Sequence, residues 1–97
     1  MDLEKEQSIK TKLEAIKIEA AETSETKIRK LKSLINQMNL HLLENPEDKK
    51  NILTLQTLGY KAIIYVVENE DETDETTRQK EQAKRLIEIV ESEMKSI

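Results

Sequence analysis

Apolar residues recur along this chain at spacings of three and four and almost nowhere in strict alternation. That pattern is the one amphipathic helices produce. The first stripe is Ile9, Leu13, Ile16 and Ala20, with Leu3 ahead of it, and it predicts a helix over residues 3–22. Thr23, Ser24 and Thr26 then interrupt it with hydroxyls suited to capping a new helix. Beyond them Ile28, Leu31, Ile35, Met38 and Leu42, widened by Leu34, Leu40 and Leu43, predict a second helix over 26–44. No Gly or Pro enforces the break, so residues 3–44 fit two helices bent near Ser24 or one rod of about 60 Å. The bend is favoured, because a rod would leave much of its stripe without a partner.

The strongest local signal is Glu44-Asn45-Pro46-Glu47-Asp48. Asn45 is a good N-cap, Pro46 suits a first helical position that needs no amide hydrogen, and Glu47 and Asp48 complement the positive helix end. A third helix is expected over 46–68, burying Ile52, Leu55, Leu58, Ala62, Ile63 and Val66. Its centre, Leu58 to Val67, is apolar nearly all round and has β-branched residues that would suit a strand. A strand needs a partner, and no other segment supplies one. Gly59 inside it marks a place where another helix comes close. Six acids lie between Glu68 and Glu75, the pattern of a solvated loop. Thr73 or Asp74 then caps a last helix over 74–96, with the stripe Ala83, Leu86, Ile87, Val90, Met94 and Ile97.

The expected fold is therefore all-α, a small antiparallel bundle of three or four helices joined by short turns within one domain, 1–97. Composition agrees. A single Gly and a single Pro among 97 residues cannot supply the turns of a sandwich or barrel. Charged residues make up 37% and aromatics 2%, a balance of helical bundles and coiled coils. The absence of Cys removes disulfides, thiolate metal sites and cysteine nucleophiles together. The opening MDLEKEQSIK lacks the basic and apolar regions of a signal peptide. The longest nearly apolar run is about half the ~20 residues of a membrane span. A cytoplasmic protein with no membrane association is the expectation.

Chemistry is harder to find. His41 is the only histidine, and His41-x-x-Glu44 reverses the Glu-x-x-His order of di-iron bundles, so His41 reads as a boundary residue near a helix end. Asp71, Thr73 and Glu75, with no glycine among them, match a calcium loop poorly. Hydroxyls cluster at caps, and no glycine-rich loop is present to cradle phosphate. The chain is not expected to be an enzyme or to carry a metal or cofactor.

Lys27, Arg29, Lys30, Lys32, Lys49 and Lys50 make residues 27–50 net positive within a chain of net charge −4. They are the candidate nucleic-acid contacts, although no aromatic lies among them to stack a base and the overall acidity opposes phosphate binding. The segment Ile28, Leu31, Ile35, Asn36, Met38, His41 and Leu42, followed by Asp48, resembles the helix and turn of the fifteenth small-subunit ribosomal protein, a helical RNA binder. That family continues into an Arg-rich helix. Here Lys49-Lys50-Asn51 is followed by only one base, Lys61, before Arg78. The leading expectation is a protein-interaction module: an adaptor, assembly chaperone or inhibitor that also self-associates, a homodimer being plausible. Its docking faces are expected at Ile9, Leu13 and Ile16, or at Ala83, Ile87, Val90 and Met94.

Overall fold

A helix that is apolar on nearly all sides must be covered on nearly all sides, and the molecule is arranged around one. The computed structural model describes residues 1–97 and contains four helices. They are α1 (Leu3–Ile18), α2 (Ser24–Glu44), α3 (Lys49–Glu68) and α4 (Asp74–Lys95), with a 3-10 turn at Pro46–Asp48. It has no strand. None of the helices is long and apolar enough to cross a membrane. α3 is the apolar helix and packs against each of the others. Nine of its residues are buried, including Ile52, Leu55, Gly59, Ile63 and Val66.

Successive helices run antiparallel. Lys5 of α1 meets His41 of α2, and Lys27 reaches back to the Lys17 carbonyl. Asn39 of α2 is bonded to Gln56 of α3, and Lys80 of α4 pairs with Glu68 at the far end of α3. α1 consequently runs parallel to α3, which Asn51 to Glu6 and Lys17 to Tyr65 also show. α1, α2 and α3 pack mutually, whereas α4 packs on α3 alone and α2 and α4 do not pack together. The core joins Leu13 of α1 to Ile28, Leu31, Ile35 and Met38 of α2, the inner face of α3, and Ala83 of α4.

Local chemistry sets the ends. The Asp2 carboxylate accepts from the Lys5 amide at 2.7 Å, and the Thr23 hydroxyl accepts from the Thr26 amide at 3.2 Å. Thr73 and Thr76 form a reciprocal box, each hydroxyl accepting from the other's amide at 3.1 and 2.8 Å. The first helix stops at Ile18, short of the expected 22. There the Glu19 carboxylate turns back to accept from the Ala21 amide, so Ala20 leaves the stripe. The chain then reverses, and residues 3–44 are two helices rather than one rod. The third helix also begins later than expected. Asn45 makes no cap bond to it, because its side-chain amide donates to the His41 carbonyl and closes α2 instead.

Gly59 lies where three helices meet. A Cβ added there would stand 2.8 Å from Ile35 Cγ1 and 3.7 Å from Leu13 Cδ2, so α2 and α1 both press on the same point of α3. Substitution trades helix propensity against overpacking. Gly59→Ala gains back about 1 kcal/mol of propensity, but its Cβ falls under 3.0 Å from both Cγ1 and Cδ1 of the buried Ile35, which must move, so it should be less stable by about 1 kcal/mol. Gly59→Val should lower stability by about 2 kcal/mol, read as a lower urea midpoint at unchanged m-value.

Candidate functional site

The sequence offered one imidazole, and the fold gives it a partner. His41 Nε2 lies 2.7 Å from Asp48 Oδ2, across the turn that closes α2, while the other Asp48 oxygen holds the Met1 ammonium. Lys5 Nζ stands 3.4 Å from His41 Nδ1. Asp48 is buried, and the hydrogen bond from the Met1 ammonium, then that from His41, hold its carboxyl below the usual range against the opposing effect of burial. The pairing secures the α2–α3 turn to the start of α1. A hollow of about 260 Å³ adjoins it, edged by Lys5, Ser8, Lys12, Gln37 and His41 and floored by Ile9, Leu34, Met38 and Ile52. No three carboxylates and imidazoles converge as a metal site would require.

The basic residues do not gather. Lys30 is paired with Glu22, and Lys27 is half-buried on the α1 carbonyl end. Lys32 lines a groove towards α4. Lys49 and Lys50 begin α3 and so lie at the opposite end of the bundle from Lys27, Arg29 and Lys30 near the start of α2. The separation is about 25 Å along α2. An aromatic does stand beside bases elsewhere: Lys17 Nζ lies 4.8 Å from the centre of the half-exposed Tyr65 ring.

The gap between α2 and α4 is the largest departure from a closed bundle. It forms a groove of about 260 Å³ whose floor is Ile35, Tyr60, Ile63 and Ala83. Its walls are Lys32 and Asn36 on α2 and Gln79, Gln82 and Leu86 on α4. Burial pushes the Tyr60 hydroxyl up from its ordinary value. At 100° per residue, Lys32, Asn36, Asn39 and Leu43 form one stripe of α2, and Gln82, Leu86, Ile89 and Glu93 one stripe of α4. Beyond the groove's lining, Leu43 is 80% exposed, Leu40 62% and Ile97 60%, and Ile89 is half-exposed. Four large aliphatic side chains left in water towards the C-terminal ends of α2 and α4 exceed the isolated exposed residue that needs no explanation.

The α4 residues expected to dock outward are placed differently. Ala83 and Val90 are buried and Ile87 and Met94 half-buried in a helix that packs only on α3. On α1, Leu13 is buried in the core, while Ile9 and Ile16 pack against it half-exposed. The side chains left in water sit beside those stripes. Periodicity alone did not separate the two sets, and the only hint was that Leu40 and Leu43 make the apolar face of α2 wider than one neighbour can cover. The chain matches no protein-family model, no curated protein and no solved structure.

The acid limb of stability tests the His41–Asp48 corner. Unfolded, Asp48 titrates near 3.8, and folded it titrates lower, so the unfolded chain binds more protons between the two values. Its contribution is therefore full above the unfolded value and lost as pH falls through the folded one. Urea midpoints taken between about pH 6 and pH 2.5 should fall less steeply for Asp48→Asn than for the natural chain. Coincident acid limbs would be the contrary result.

Proposed function

We propose that this chain is a non-enzymatic protein-interaction module that receives an amphipathic helix in the groove between α2 and α4. The observation that carries the reading is the missing contact between those two helices, which leaves a groove where Tyr60 of α3 and Leu86 of α4 are only half-buried. A helix laid there would place apolar side chains at helical spacing against the half-buried Tyr60 and Leu86. The amides of Asn36, Gln79 and Gln82 would meet its polar edge without burying a charge. Adaptor, assembly chaperone and inhibitor all share this physical act. The nucleic-acid reading is not carried forward, because Lys49 and Lys50 lie at the other end of the molecule from the α2 bases and Lys30 is already paired.

Selection from a displayed library of helical peptides tests the groove directly. Binders should carry apolar residues at helical spacing and perturb the amide resonances of Asn36, Gln82 and Leu86. Leu86→Asp should weaken them by about tenfold or more, equivalent to about 1.4 kcal/mol, while leaving the helical circular dichroism intact. Binders whose shifts map to the α1 face, or that tolerate Leu86→Asp, would remove the proposal.

A further inference from the structure

We infer that one occupant of this groove edge is a second copy of the same chain, joined by an antiparallel crossing of the two α4 helices centred on Ile89. The inference rests on the reading of that edge as a helix-docking surface. Ile89 is 49% exposed and points away from the α3-facing stripe of Ala83, Ile87, Val90 and Met94. Arg85 lies four residues before it and Glu93 four residues after it, so the three share one i±4 ridge, the row along which helices most often interlock.

Charge selects both partner and direction. Arg85 and Glu93 are exposed, and the ion pairs of α4 involve other residues, Arg78 with Glu75 and Lys80 with Glu68. A two-fold axis through Ile89 sets Arg85 of each copy against Glu93 of the other, giving two oppositely charged pairs either side of an Ile89–Ile89 contact. A parallel arrangement would instead oppose arginine to arginine and glutamate to glutamate, which disfavours it. The contact is isologous and closes at two copies. Ridges crossing at about 50° touch only in the turns next to the crossing, and those turns are the ones that carry Arg85 and Glu93. The partner's α4 then crosses beside the groove mouth, one turn from the half-buried Leu86.

Sedimentation equilibrium of the full chain, from micromolar to millimolar, tests this with a charge swap. The natural chain should show a concentration-dependent dimer. Arg85→Glu and Glu93→Arg should each raise the dissociation constant about tenfold, since each converts two attractive contacts into two repulsive ones. The double variant should restore the natural value, and Ile89→Asp should be monomeric with unchanged helical content. A natural chain that stays monomeric throughout, a dimer indifferent to Ile89→Asp, or a double variant no better than either single one would each overturn the inference. Peptide mapping with the Arg85→Glu chain, held well below its dissociation constant, decides the groove reading separately, because Arg85 does not line the groove and Asn36, Gln82 and Leu86 remain in place there.

Discussion

The centre of α3 is the constraint from which the remainder follows. From Leu53 to Val67 it carries one charged residue, Lys61, and only a narrow strip of it, Lys61 with Tyr65 and the Leu58 expected to be buried, faces water. Three neighbours are recruited to it, and Gly59 lets α1 and α2 approach at one level together. The largest fully buried side chains, Leu31, Ile52 and Leu55, belong to α2 and α3, so the deepest part of the core lies where these two helices meet. Three neighbours nonetheless do not close the circle. Because α1 lies against both α2 and α3, α4 takes another side of α3 without reaching α2, and the groove is what that geometry leaves.

Polar chemistry in this molecule secures connections between helices. The Met1, His41 and Asp48 cluster ties the α2–α3 turn to the start of α1, and the Gln56 to Asn39 bond satisfies a polar side chain buried on α3. At the other end Ser24 donates to Glu70, joining the acidic turn to the beginning of α2. No buried side-chain nitrogen or oxygen is left without a partner. Such satisfied contacts fix which turn meets which helix, a task a core of Leu, Ile and Val does poorly because its packing has little direction.

Much of this was legible in the residues and some of it could not have been. Apolar spacing locates the four helices, the Thr23 and Thr73 hydroxyls do act as caps, and a lone glycine inside an apolar helix does mark a close approach. Asn45 and Asp48 read as ordinary helix-start residues because each suits that role locally, yet both are drawn into tertiary contacts that outweigh it. His41 and Asp48 lie seven residues apart across a turn, and no periodicity announces such a pair. The groove was invisible for a different reason. A stripe shows that a helix has an apolar face, but which pairs of helices fail to meet depends on how all four share the available sides.

The attachment of α4 carries a consequence for how the molecule comes apart. It is held by one neighbour, by the Lys80–Glu68 pair and by the turn that Glu70 fastens, and its two buried side chains, Ala83 and Val90, are modest in size. Detaching it breaks no contact among α1, α2 and α3. The outer helix is therefore a unit able to open while the three-helix core persists. Its release would bare the Leu53, Tyr60 and Val67 side of α3, a broader apolar surface than the closed form shows. A ligand that prefers that surface would draw on the opened population, so the strength with which α4 is held also sets how readily the inner helix is offered to others.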